Sequence, residues 1–215
     1  MHEVETNLRI VGVNDFSVER RPSLQVREDV ATEISEMIRD RLPSCRHYVV
    51  IHPGAISPLR CWSSHRFIEV IRWIRESTDL GVVVTGSSSE KALAEEIVSD
   101  TRSGVISLAG ETSLIQVVAV ISGALAMVSV DTGVMHIATA VGTPVIALVG
   151  PEDPNRFGPY GRENAVLYHN YSCSPCDQVN CVRGRPECME TITTDEVIGA
   201  LRRVLVGAGF DYGGS

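Results

Sequence analysis

From Tyr48 onward the chain alternates short β-branched runs with segments of helical spacing, and few folds accept that alternation. Tyr48-Val49-Val50-Ile51 reads as a buried strand ended by His52-Pro53-Gly54, and Gly81 to Gly86, Val105 to Leu108, Leu125 to Val130 and Pro144 to Val149 repeat the pattern. Ala165 to Tyr168 supplies a sixth strand. Between them, Phe67, Ile68, Ile71 and Ile74 mark one face of a helix that starts near Ser63 or Ser64. Leu93 and Ile97 follow a helix start at Ser87 to Glu90, and Leu114, Val117, Val118 and Ile121 form a short helix after the third strand. The fourth strand turns at Asp131-Thr132-Gly133 into a helix through His136 and Ala140. Such units predict an α/β fold, a Rossmann-like parallel sheet with helices on both faces. Ligands of such sheets sit outside the carboxyl ends of the strands. That rule selects the loops at His52 to Trp62, Gly86 to Glu90, Gly110 to Ser113, Asp131 to His136 and Gly150 to Tyr160.

The flanks fit the pattern less well. Residues 1–46 read as a connecting segment and a flanking helix, the latter from Leu24 to Arg41 with helical spacing at Val30, Ile34, Met37 and Ile38. The domain proper spans 47–206 and includes a cysteine-rich loop at 173–188. A closing helix runs from Thr194, taken as its cap, to Leu205, and a glycine-rich tail at 207–215 is expected to fray. A net charge of −8 argues against a broad nucleic-acid surface, though not against a small phosphate site. The longest apolar stretch, Val117 to Val130, is broken by Ser122, Gly123 and Ser129 and is too short for a transmembrane segment. Met1 to Arg9 lacks the apolar core of a signal peptide, so the expected compartment is the cytoplasm.

Two loops carry the chemistry. Asp131-Thr132-Gly133 puts a carboxylate, a hydroxyl and a glycine where a buried strand meets a helix, whose free N–H groups and positive dipole end suit a phosphate. Asp131 is placed to accept from sugar hydroxyls, or else it only caps the helix. In the loop after the first strand, Gly54 and Ser57 offer small donors, and Arg60 offers a planar cation for phosphate oxygens unless it is a solvated surface charge. Trp62 reads as core. Cys173, Cys176, Cys181 and Cys188 are spaced closely enough for a structural zinc site, with free thiols or a disulfide as the other readings.

Taken in order, these motifs resemble glycosyltransferase family 9, the heptosyltransferases of lipopolysaccharide core synthesis. The likeness rests on Pro53-Gly54-Ala55 with Arg60-Cys61-Trp62, Glu90 after Gly86, Gly110-Glu111-Thr112-Ser113-Leu114 and Asp131-Thr132-Gly133-Val134-Met135-His136. Gly142-Thr143-Pro144, Gly150-Pro151-Glu152-Asp153-Pro154, Gly158-Pro159-Tyr160-Gly161 and the cysteines extend it, and His2-Glu3-Val4 with Asn7-Leu8 resembles the family's interdomain segment. The resemblance implies the C-terminal, donor-binding half of a GT-B fold that takes a nucleoside-diphosphate sugar, ADP-heptose, without a catalytic cofactor. By position, Ser57, Arg60, Thr132 and Gly133 would face the diphosphate, Glu90 the ribose, Thr112 the base, and Asp131 and His136 the sugar. It implies no catalytic residue in this chain, because the family's base and its lipopolysaccharide-core acceptor surface belong to an N-terminal domain. The chain by itself is therefore expected to be inactive. It also implies peripheral membrane association of the full enzyme. The basic position, most often lysine in the family, is Arg60 here. The rival reading is a non-catalytic module that binds nucleotide or glycan.

Overall fold

The structure, a computed structural model, describes residues 1–11, 22–101 and 103–210. Six strands, β1 (Tyr48–His52), β2 (Gly81–Val84), β3 (Val105–Ser107), β4 (Ala126–Val130), β5 (Val145–Val149) and β6 (Ala165–Tyr168), form one sheet in the order β3-β2-β1-β4-β5-β6. Every pairing is parallel. The order reverses between β1 and β4, whose registers align His52 with Ser129. This is the doubly wound arrangement, and its crevice opens at the carboxyl ends of those two strands.

The continuous apolar runs of the strands follow from burial on both faces. Along β1, Val49 and Ile51 point to one core while Val50 points to the other, as strand alternation requires. The first core packs β1, β2, β4 and β5 under α3 (Ser64–Ser77), α4 (Lys91–Ser99) and α9 (Thr194–Gly207), with α7 (Pro154–Phe157) and α8 (Glu187–Glu190) as short helices in the loops after β5 and β6. The second packs the opposite face under α2 (Glu28–Arg41), α5 (Leu114–Ser122) and α6 (Gly133–Val141). Phe67, Ile71 and Ile74 of α3 are fully buried, each contributing about 1.5–3 kcal/mol. Trp62 is core, as expected, and its indole N–H donates to the Ile192 carbonyl at 3.0 Å.

Four flanking expectations change. The connecting segment contains a helix, α1 (Glu3–Ile10), that buries none of its own residues but is well terminated. The Val4 amide donates to the His2 ring, Glu3 and Glu5 stand in the first turn and Arg9 in the last. The expected helix between Leu24 and Arg41 begins only at Glu28, as α2. At α9 the cap is Thr193 rather than Thr194. Thr193 and Glu196 form a reciprocal capping box, while the Thr194 hydroxyl donates to Glu69 at 2.6 Å. Gly207 closes α9 instead of starting a loose tail, and Phe210 packs against the first core. Residues 12–21 of the N-terminal segment and 211–215 of the tail lie outside the described residues. Among the described residues no helix is long and apolar enough to cross a membrane.

Candidate functional site

The two loops singled out in the sequence meet at the switch point. A short 3-10 turn, Pro58–Arg60, carries Arg60 from the end of β1 toward the end of β4. There its Nη1 stands 3.1 Å from Oδ2 of Asp131, and its Nη2 donates to Oε2 of Glu152 at 3.2 Å. Arg60 is thus no solvated surface charge.

Asp131 is 4% exposed and does not cap α6. The cap position is Thr132, whose side chain makes no capping bond; the Met135 amide donates to the Thr132 carbonyl at 3.1 Å, which leaves the Gly133 and Val134 amides facing outward. A side chain at Gly133 would touch nothing within 4 Å, leaving open space in front of this helix start. The Arg60–Asp131 contact is close enough for an ion pair but angled away from a hydrogen bond. As a result, Ser57 Oγ and Asp131 Oδ2 are, among the described residues, the two buried side-chain N/O atoms without a hydrogen-bond partner. Buried polar atoms are nearly always satisfied, so two orphans at one crevice mark where a polar ligand completes the structure. Burial pushes the Asp131 carboxyl above the usual range, Arg60 pulls it back and Glu152 pushes it up again.

Glu90 reaches the crevice from the 3-10 turn Ser88–Glu90. Its Oε2 accepts from the Ser87 amide at 2.7 Å and from the Ser87 hydroxyl at 2.8 Å. Its other oxygen packs against Gly54, where an added Cβ would fall 2.0 Å away. Gly54 is therefore required by this close approach. Thr112 lies further out, after edge strand β3, and its hydroxyl turns back to the Leu108 carbonyl at 3.4 Å. Gly110, at φ +72°, ties that loop to β2 by donating to Gly86 at 2.9 Å.

His136 is exposed in the first turns of α6. Crowding of its ring by neighbouring groups lowers its pKa by desolvation, and the charge of His2 lowers it further. The N-terminus reaches this side of the crevice, with His2 Nε2 2.9 Å from the Gly158 carbonyl, its ring edge-on to Tyr160 at 4.8 Å, and Glu3 paired with Arg156 at 3.0 Å. Those contacts escaped the sequence reading, which had only the Gly158-Pro159-Tyr160 turn and the His2 segment as separate signals.

His52, buried beneath the crevice and 3.0 Å from the Thr85 hydroxyl, is also lowered by burial, partly offset by Glu90. Both histidines bind protons less readily when folded. Stability is therefore full above the ordinary histidine value of about 6.5 and is lost as pH falls below it, where the unfolded chain protonates first. Asp131 has the opposite sign, since its raised folded pKa favours the folded state as it protonates at lower pH. The melting temperature is expected to drop between pH 7 and pH 5.5, and His136→Gln is expected to flatten that drop. An unchanged slope in the variant would remove His136 as a source.

The four loop cysteines are reduced and all line one cavity of about 320 Å³, bordered by Leu59 of the Arg60 loop. Cys181 donates its thiol hydrogen to the Arg185 carbonyl at 2.9 Å, and burial pushes the Cys188 thiol up. Among the described residues no three His, Cys, Asp or Glu side chains stand together as metal ligands.

Comparison with known proteins places these features in a family. The chain is 30% identical to lipopolysaccharide heptosyltransferase 3 of Escherichia coli (strain K12), over 95% of this chain and 60% of that protein. It is also 30% identical to lipopolysaccharide heptosyltransferase 2 of Salmonella typhimurium, over 86% of this chain and 53% of that one. Among solved structures, the E. coli ADP-heptose lps heptosyltransferase II superposes with a TM-score of 0.76 at 26% identity, covering 90% of this chain and 56% of its own. A family 9 glycosyltransferase from Veillonella parvula shares the fold with a TM-score of 0.84 at 21% identity, covering 96% of this chain and 60% of its own. The chain thus spans little more than half the length of the relatives it matches. The family model for glycosyltransferase family 9 (heptosyltransferase) matches residues 14–185, from ahead of α2 into the cysteine-rich loop, and the chain belongs to that family.

Proposed function

We propose that this chain is the donor-binding half of a heptosyltransferase-type enzyme and that its crevice takes a nucleoside-diphosphate sugar, ADP-heptose being the donor the family points to. The observation that carries the reading is the pair of orphaned oxygens, Ser57 Oγ and Asp131 Oδ2, flanking the uncapped start of α6. A diphosphate would accept from Ser57, from Arg60 and from the α6 amides. A sugar hydroxyl would donate to Asp131, which accepts most strongly while ionised. Glu90 is the acceptor placed for a ribose hydroxyl, and the loop around Thr112 borders the far end, where a base would lie. Departing diphosphate charge is then stabilised by Arg60 and the helix start without a divalent metal. A lipopolysaccharide-core acceptor, a base from a partner domain and a cytoplasmic, membrane-peripheral setting belong to the same proposal. Calorimetric titration of the chain with ADP in a chelating buffer tests it. Binding is expected, and no heat of binding at millimolar ADP would remove the donor reading.

The cysteine-rich loop enters this reading as a covering loop. Its sulfurs share a cavity without standing as ligands, so no step runs through a metal. A chelator is expected to leave the melting temperature unchanged, with the loop thiols reacting as free cysteines. About one equivalent of zinc in the purified protein, together with a loss of stability on chelation, would restore the structural metal site.

A further inference from the structure

Arg60 does not hold its position by contacts within the sheet alone. Its Nε donates to Oε1 of Gln178 at 2.5 Å, across 118 residues of sequence. Gln178 in turn donates from Nε2 to the same Glu152 oxygen that accepts from Arg60, at 2.9 Å. Nε and Nη2 therefore each have one protein acceptor, in Gln178 and Glu152, Nη1 is ion-paired to Asp131, and N–H groups on Nη1 and Nη2 remain for an incoming anion. Gln178 is itself held. Ser174 donates to the Gly150 carbonyl at 2.8 Å and Cys176 to the Pro151 carbonyl at 3.0 Å, pinning the loop over the end of β5. At φ +59°, Gln178 is also the non-glycine residue that, among the described residues, occupies the left-handed region. A long polar side chain kept in that region marks a site where position matters more than backbone comfort.

We propose that Gln178 is a positioning residue of the donor site: it locks the Arg60 guanidinium, with Glu152 as the shared acceptor, so that the cation meets a diphosphate already oriented. This rests on the donor reading above and deepens it, since it assigns the cysteine-rich loop a part in phosphate recognition. A guanidinium tethered on three sides loses less freedom when the anion arrives than one on a swinging side chain, and that difference appears as affinity. Glu152 also explains why Gln178 is needed. With only two carboxylates as partners, Arg60 would be drawn toward them and away from the anion, whereas the neutral amide holds Nε without adding negative charge.

The test is a double-mutant cycle in the full 215-residue chain, read by ADP affinity. Gln178→Ala is expected to weaken ADP about fivefold, the scale of one lost hydrogen bond to a charged group. The same change in an Arg60→Ala background is expected to have no further effect. Gln178→Asn, which tolerates the left-handed backbone but is one methylene shorter, is expected to behave as Gln178→Ala with its melting temperature kept. Where Arg60→Ala binds too weakly to measure, the Arg60 Nε–H resonance decides. It is expected to be sharp in wild type and broadened by solvent exchange in Gln178→Ala. Additive losses in the cycle, unchanged affinity in Gln178→Ala or an unchanged Arg60 resonance would each overturn the positioning role while leaving the donor site intact. Failure of the wild type to bind ADP would instead remove the donor reading and this role with it.

Discussion

Expressed by itself, the 215-residue chain is expected to bind donor and to transfer no sugar above background. An acceptor hydroxyl must lose its proton as it attacks, and a positioned base contributes about 10²- to 10⁴-fold to such a step. Holding donor and acceptor in register adds a further large factor. Two groups at the crevice could act as a base, and both are poorly placed for it. Asp131 is buried against Arg60, whose charge weakens the carboxylate as a base, and its orphaned oxygen is assigned to the donor sugar. His136, whose lowered pKa favours the neutral ring, stands in the first turns of the helix that is proposed to receive the diphosphate. The relatives are longer by a large fraction of their length, this chain covering 60% and 53% of two of them, and the acceptor side is proposed to lie there. The assay follows release of ADP from ADP-heptose with a lipopolysaccharide-core acceptor, with and without a family N-terminal domain supplied in trans or fused ahead of Met1. Background rates rescued by that domain are the expected result. Robust transfer by the chain alone would show that Asp131 or His136 serves as base. Rescue failing despite tight donor binding would favour a non-catalytic binding module.

The sheet and the main features of the site were legible because both are written locally. A parallel strand buried on two faces has to be a continuous apolar run, so Tyr48-Val49-Val50-Ile51 and Ala126 to Val130 announce themselves, and the loops after them follow. Asp131, Thr132, Gly133, Ser57 and Arg60 could be placed at one end of the sheet because each follows the carboxyl end of a strand, and the structure brings them to one crevice. What the sequence hides is long-range or a matter of backbone geometry. Gln178 reaches Arg60 from a loop whose conformation depends on hydrogen bonds to Gly150 and Pro151, and no periodicity encodes that approach. The fit of Glu90 onto Gly54 is of the same kind, visible in sequence only as a glycine after a strand. Thr193 and Thr194 are equally good caps by composition, and only the position of Glu196 three residues after Thr193 separates them. The helix at Glu3–Ile10 was missed because it has no buried face, so its hydrophobic spacing carried no signal and only its end charges could have revealed it.

Replacing Arg60 by alanine is expected to weaken ADP binding by about 1–3 kcal/mol, roughly 5- to 150-fold, toward the upper end of that range. The reason lies in the neighbours that remain. Wild-type Arg60 faces two carboxylates, Asp131 and Glu152, at 3.1 and 3.2 Å, so the local balance is already one negative charge before any anion arrives. Without the guanidinium, a diphosphate at the start of α6 would meet two carboxylates across a partly buried crevice, with only the helix amides and the Ser57 hydroxyl in its favour. Asp131, 4% exposed, would lose its counter-charge, and its carboxyl would be pushed further upward. The variant is therefore expected to regain part of its affinity as pH is lowered and Asp131 protonates, a trend that simple loss of one contact would not produce. Arg60→Lys separates charge from geometry. An ammonium restores the charge but cannot serve Gln178, Asp131 and Glu152 in one plane, so its affinity is expected to fall between wild type and Arg60→Ala. Calorimetry in a chelating buffer at two pH values measures all three. Equal ADP affinity in wild type and Arg60→Ala would take Arg60 out of the site and leave the orphaned oxygens of Ser57 and Asp131 to be explained by a different ligand.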